Sequence, residues 1–332
     1  MPWMELSLDT TSEAVDWVGT LLAGTRYKGD VKIVECTKDL DSQWAFTLYL
    51  YLPDHAHSQA QEIADVLSPL HRTGIATELQ VRIVDDLAIA SECLQGAAST
   101  NSQKVVPIPR IHCVSDRFVI ITDELTNQSY SPAPHELTLH LKTSLAFGSG
   151  LHPATQLSLR LLEKHVAPRM KTLDLGSGSG ILSVAIAKLG AQVLAVDNDA
   201  IAVQATQDAV QRNGVASQVT VIQGSLGQGS ELGNWMGGEA LGKVKAISPI
   251  SSTDPQAIAS FDLIVANILA RVHITLAPDF RRALMPSGLL ITAGFTADYE
   301  EAVTAALVEE GFEAVDCERL QEWVAWMYRL NP

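Results

Sequence analysis

The stretch Thr172-Leu173-Asp174-Leu175-Gly176-Ser177-Gly178-Ser179-Gly180 decides the fold of this 332-residue chain. An apolar strand ends at Asp174–Leu175, three alternating glycines turn the backbone, and the apolar run from Ile181 opens a helix. Glycine lets a chain turn tightly and approach a ligand closely. Open α/β sheets bind their ligands beyond the carboxyl ends of the strands, where such turns lie. The spacing narrows the choice. Dinucleotide folds need G-x-G-x-x-G, and Ile181 occupies the third position here. Phosphate loops end in Gly-Lys-Ser or Gly-Lys-Thr, which this turn lacks. It therefore reads as a site for a ligand that need not carry phosphate, and a NAD-dependent oxidoreductase is disfavoured.

Strand and helix alternate around this motif from Leu145 to the C-terminus. Strands are expected at Lys171–Leu175, Gln192–Asp197, Gln218–Gln223, Phe261–Asn267 and Gly288–Phe295. Helices are expected at Pro153–His165, Gly180–Leu189, Asp199–Asn213 and Ala270–Leu284. Repeated βα units imply a parallel sheet covered on both faces. A further helix, Asp298–Glu310, precedes two strands, Phe312–Arg319 and Trp323–Leu330. The turn between these two is too short for a crossover, so the last strand should be antiparallel. Residues 224–260, rich in Gly and Ser, exceed an ordinary loop and read as a disordered insertion or a lid.

Upstream, residues 1–86 show a β-α-β-β-α-β order, the ferredoxin-like α+β arrangement. Its strands are Met4–Leu8, Val31–Cys36, Trp44–Leu52 and Ala76–Val84, and its helices Ser12–Leu22 and Gln59–Leu70. With no catalytic constellation, this domain reads as a docking module. Residues 87–144 read as a linker, centred on Gln95–Gln103, and a connecting hairpin with strands Arg117–Thr122 and Glu136–Leu141.

Three further positions carry candidate chemistry. Asp197 ends the second strand, where a carboxylate can accept both ribose hydroxyls of an adenosyl group. The competing role is capping the next helix, which better suits Asp199. Asn267 ends the fourth strand in Ala266-Asn267-Ile268-Leu269. Its carbonyl can accept a hydrogen bond from an incoming amine and aim the nitrogen lone pair; the alternative is again a helix cap. In Phe147-Gly148-Ser149-Gly150-Leu151-His152-Pro153-Ala154-Thr155, Pro153 suits a first helical turn. The glycines and Thr155 either hold a carboxylate at the helix N-terminus or form a plain loop before it. His152, alone beside a proline, reads as structural.

Composition sets the outer bounds. Hydrophobic residues make up 47% and charged residues 18%, a globular balance. The net charge of −15 disfavours nucleic acid and favours a basic, lysine-rich protein partner. Cys36, Cys93, Cys113 and Cys317 form no CxxC pair, so neither a metal site nor a disulfide framework is expected. The first residues lack a signal-peptide pattern, and the apolar run from Ile181 to Val196 is broken by Lys188 and Gln192. A cytoplasmic protein without a membrane span is expected.

At these residues the chain resembles the PrmA family, the methyltransferases of large-subunit ribosomal protein eleven. The family's Phe-Gly-x-Gly-x-His-Pro-x-Thr run matches Phe147–Thr155, and its glycine loop matches Gly176–Gly180. Asp197 matches its acidic strand end, and Ala266–Leu269 its Ala-Asn-Ile-Leu. Leu151 stands where the family has Thr, residues 85–104 lack its Trp-rich connector, and the 224–260 insertion is longer than usual. The resemblance implies a class I methyltransferase, with a Rossmann-like sheet over 145–332 and a ferredoxin-like substrate domain before it. It implies S-adenosylmethionine as cofactor, held by Thr155, the Gly176–Gly178 turn, Asp197 and Asn267. The implied reaction methylates lysine side chains and the N-terminal amine of ribosomal protein eleven, with Asn267 as the catalytic positioning group.

Overall fold

The computed structural model describes residues 2–22, 25–35, 44–72, 74–84, 100–104, 111–121, 130–141, 152–226 and 260–332. Phe147–Leu151, most of the 224–260 insertion, Cys36, Cys93 and residues 95–99 of the expected linker lie outside them. The described residues form two compact units that divide between Ile108 and Pro109.

The first unit contains β1 (Trp3–Thr10), α1 (Ser12–Leu22), β2 (Asp30–Glu35), β3 (Phe46–Pro53), α2 (His57–Arg72), β4 (Gln80–Val84) and β5 (Thr100–Lys104). Period-two burial builds its core. Met4, Leu6 and Leu8 of β1 and Leu48, Leu50 and Leu52 of β3 are buried, as are Val18, Leu22, Ile63 and Leu70 of the helices. The strand order is β4-β1-β3-β2-β5 with antiparallel neighbours throughout. This corrects the expectation of a linker at 95–103. Thr100–Lys104 pairs with β2 as a fifth strand, so the first sheet includes residues beyond the expected boundary at 86. A polar strand at a sheet edge needs only backbone partners, so hydrophobic periodicity does not reveal it.

The second unit opens with β6 (Ile111–Cys113), β7 (Phe118–Ile121) and β8 (Leu137–His140). β6 and β7 are antiparallel, whereas β7 and β8 run parallel. The hairpin expected from Arg117–Thr122 and Glu136–Leu141 is therefore not formed by those two strands. Side chains of the following helices hold this small sheet. Lys188 Nζ donates to the Thr138 carbonyl at 2.6 Å, and the Asn213 amide bonds both backbone groups of His140, at 2.8 and 2.9 Å.

The remaining elements are α3 (Pro153–His165), β9 (Lys171–Leu175), α4 (Ile181–Lys188), β10 (Gln192–Asp197), α5 (Ala200–Arg212) and β11 (Val219–Gln223). After them come β12 (Phe261–Asn267), α6 (Ala270–Ala283), β13 (Leu284–Thr296), α7 (Glu300–Glu309), β14 (Phe312–Leu320) and β15 (Trp323–Leu330). Their sheet order is β11-β10-β9-β12-β13-β15-β14. Only β15 runs against its neighbours, as its two-residue connection requires: Leu320 pairs with Trp323. The chain steps from β9 outward to β10 and β11, then returns to β12 on the other side of β9. That reversal opens a crevice at the strand tips, the general ligand site of such sheets. Among the described residues no helix is long and apolar enough to cross a membrane.

A core of Leu173, Ile264, Ala266, Leu276, Phe280, Leu290 and Phe295 packs α6 against the sheet below the crevice. Phe280 is fully buried. Phe280→Ala is expected to cost about 3–5 kcal/mol, measured as a lowered urea midpoint. A loss below ~1 kcal/mol would mean that this core is not assembled as described.

Candidate active site

Register places three residues in one row at the crevice. Leu175 of β9 pairs with Val196 on one side and Ala266 on the other. The next residues, Gly176, Asp197 and Asn267, therefore stand side by side. Gly176 has φ +77°, and a Cβ there would lie 2.6 Å from Ile268 Cγ2. Conformation and space both demand glycine. The amides of Gly176 and Ser177 donate to the Val196 carbonyl at 2.8 and 3.1 Å, fastening the turn to β10. On α5, Thr206 Oγ1 donates to the Gly178 carbonyl at 3.0 Å and bonds Ser177 Oγ at 2.9 Å.

Asp197 is nearly buried, at 9% exposure. Its Oδ2 accepts from the Gly178 amide at 2.9 Å and its Oδ1 from the Asp199 amide at 3.0 Å. Burial pushes this carboxyl up to about 6, the amide bonds pulling down and the Asp199 charge adding to the rise. A carboxylate offers roughly four acceptor positions. With backbone amides bonded to both oxygens, the carboxylate keeps some acceptor capacity for hydroxyl donors at the crevice.

Thr155 lies buried in the first turn of α3, and Asn267 Nδ2 donates to its Oγ1 at 3.4 Å. Tertiary structure thus joins two candidates 112 positions apart. The Asn267 carbonyl oxygen is buried and has no partner among the described residues. Asn267 is not a helix cap. Leu269 holds that position for α6, while Asp199 caps α5 by accepting from the Ile201 amide at 2.9 Å. His152 caps α3, its Nδ1 accepting from the Ala154 amide at 3.3 Å. The ring packs edge-on against Trp323, and burial holds it well below the usual histidine range, hence neutral.

Two residues escaped the reading of the sequence. Asp174, quoted in the motif but given no role, is fully buried two positions before Gly176 on the same strand. Ser183 Oγ donates to its Oδ2 at 2.5 Å, while its Oδ1 has no partner among the described residues. Burial pushes it up to about 7, with the Asp197 charge raising and the Ser183 hydroxyl lowering it. A carboxylate within a buried strand end was the available signal. Gly294 adopts φ +95°, and a Cβ there would lie 2.6 Å from the Ile268 carbonyl and 2.9 Å from Asn267 Oδ1. Glycine inside a strand marks such close backbone approach.

The crevice thus gathers acceptors: Asp197, the Asn267 carbonyl and Asp174. Unfilled buried acceptors cost stability until a donor reaches them. They fit a ligand rich in hydroxyl and ammonium donors and carrying positive charge, and they oppose a phosphate. Among the described residues no cluster of three His, Cys, Asp or Glu could hold a metal ion.

Comparison with known proteins agrees with this architecture. A solved ribosomal protein L11 methylase from Lactobacillus delbrueckii subsp. bulgaricus superposes with a TM-score of 0.51 at 24% identity, covering 68% of this chain and 100% of that one. The fold is that of a class I methyltransferase. Sequence narrows it further: the family model described as ribosomal protein L11 methyltransferase (PrmA) matches residues 2–331. Two relatives named ribosomal protein L11 methyltransferase are 37% and 36% identical to it. They come from Chloroflexus aurantiacus, with 98% of each chain covered, and Herpetosiphon aurantiacus, with 99% of each. The chain belongs to this PrmA family.

Asp174 also sets a pH dependence. Its carboxyl titrates near 7 when folded against 3.8 as the reference value. The folded state therefore holds the extra proton between these values, and Asp174 lowers stability as pH rises through that window. Without ligand, Asp174→Asn should gain stability relative to the parent as pH rises from about 4 to about 7, then level off. Urea midpoints of both proteins across that range measure this, and a pH-independent difference would contradict the assignment.

Proposed function

We propose that this enzyme, a methyltransferase of ribosomal protein L11 that uses S-adenosylmethionine, delivers methyl groups to amino groups: lysine side chains and the N-terminal amine. The observation that carries this reading is the buried Asn267 carbonyl, without a partner among the described residues at the strand tip, while its amide nitrogen is engaged by Thr155. Such an acceptor selects a nucleophile that brings an N–H, which an amine does.

The geometry supports the following roles. Asp197 accepts the ribose hydroxyls with the acceptor capacity its carboxylate keeps beyond its bonds to backbone amides. The Gly176–Gly178 turn lets the backbone lie against the nucleoside without side-chain obstruction. Thr155 holds the Asn267 amide in one orientation, so its carbonyl faces the incoming amine. Asp174 contributes negative charge to the crevice once it has lost its proton. Bound there, S-adenosylmethionine supplies an electrophilic methyl on a sulfonium. Asn267 orients the amine lone pair for in-line attack, a contribution of positioning rather than of proton transfer. We assign the N-terminal unit to recognising the protein substrate. Among its described residues no catalytic cluster is found, and the chain's net charge of −15 complements a basic partner.

Mass spectrometry of purified L11 incubated with the enzyme and donor tests the assignment. Methyl increments on lysine residues and on the N-terminal amine are expected; increments only on other side chains would refute amino-group specificity. Asn267→Ala should lower kcat about a hundredfold, with affinity for S-adenosylhomocysteine retained within a few-fold. Asp197→Ala removes charge-assisted bonds of about 1.5–3 kcal/mol each, so calorimetry should show much weaker binding of the same ligand. In the parent, that affinity should fall as pH drops through about 6, where Asp197 takes up a proton. Asp197→Asn should abolish this component of the pH dependence.

A further inference from the structure

His273 is a fully buried histidine that the proposed chemistry does not use. It sits in the first turn of α6, six residues beyond Asn267, with its ring edge-on to Phe295 at 5.4 Å and tilted against Phe280 at 6.2 Å. Its Nε2 lies 2.9 Å from the Ala293 carbonyl. A carbonyl only accepts, so this nitrogen carries the hydrogen. Burial presses the imidazole down to about 4, against the neighbouring carbonyls of Ala293 and Ile268, so the ring is neutral at working pH.

The Ala293 carbonyl is the point that matters. It also accepts from the Ile268 amide at 3.0 Å, and Ala293 pairs in register with Asn267 itself. The following residue is Gly294, whose bare Cα admits the Ile268 backbone and the Asn267 carbonyl oxygen. One carbonyl on β13 is therefore gripped from two sides, by the turn that bears Asn267 and by a side chain from the helix that follows it. Leucine or phenylalanine would fill this apolar pocket as well, yet neither would hold the carbonyl. A buried polar ring among aromatics is retained for its hydrogen bond.

We infer that His273 is a positioning residue for methyl transfer, fixing the Asn267 carboxamide through the shared Ala293 carbonyl. This rests on the role of Asn267 given above. The ring touches neither donor nor acceptor and moves no proton. It narrows the orientations of Asn267, and with them the angle at which an amine approaches the methyl group.

The test is a double-mutant cycle on the full-length enzyme with L11 as substrate, comparing His273→Leu, Asn267→Ala and the double variant. His273→Leu should lower kcat roughly ten- to a hundredfold. KM for the donor and S-adenosylhomocysteine affinity should stay within about threefold, and His273→Gln, which restores a donor, should recover part of kcat. In the Asn267→Ala background the His273→Leu effect should largely vanish, because the group it positions is gone. Full additivity in the cycle, or a loss confined to KM and thermal stability, would overturn the inference and leave the Asn267 role intact. An unaltered kcat in Asn267→Ala alone would instead remove the reading on which it rests. Should His273→Leu fail to fold, His273→Gln and His273→Asn give the same cycle. Equal, additive losses in both would likewise overturn the inference.

Discussion

The hydrogen bond from the Gly178 amide to the Asp197 carboxylate holds the crevice together. It ties the glycine turn after β9 to the tip of β10, so the turn backbone and the acid proposed to accept a ribose move as one body. Gly176 and Ser177 reinforce it by donating to Val196, and Thr206 braces the far side of the turn from α5. Asp197 is buried by this arrangement, and burial raises its proton affinity. The proposed ligand anchor and its raised proton affinity thus have one cause.

A second assembly faces it across β9. Thr155 from α3, Gly294 and Ala293 from β13, and His273 from α6 all converge on Asn267 and the residue after it. Thr155 lies on α3, 112 positions before Asn267, so the carboxamide is fixed only once α3 packs beside the β12–α6–β13 unit. The antiparallel β15 matters here as well. It covers β13 and brings Trp323 against His152, which starts the helix carrying Thr155. Stability of the distant edge and geometry of the reacting group are in this way coupled through packed side chains.

Local chemistry made much of this legible beforehand. The α3 boundaries Pro153–His165, the strands at Lys171–Leu175, Gln192–Asp197 and Phe261–Asn267, and the antiparallel last strand all coincide with the expected positions. Each follows from a short-range rule: proline at a first turn, glycine after a strand, a connection too short to cross over. Asp199 as cap and His152 as a structural residue were readable for the same reason. Illegible were β5, whose polar residues show no alternation, and the parallel pairing of β7 with β8, which depends on how the chain returns between them.

The sequence by itself therefore determined the βα alternation, the glycine turn and the family to which the chain belongs, because these are written in residues adjacent along the chain. Only tertiary structure decided that Asn267 meets Thr155, that its carbonyl finds no partner among the described residues, and that Ala293 is held by His273. Those facts depend on which strands lie side by side and on burial. Strand neighbours and burial are set by the packing of the whole sheet, and no local pattern encodes them.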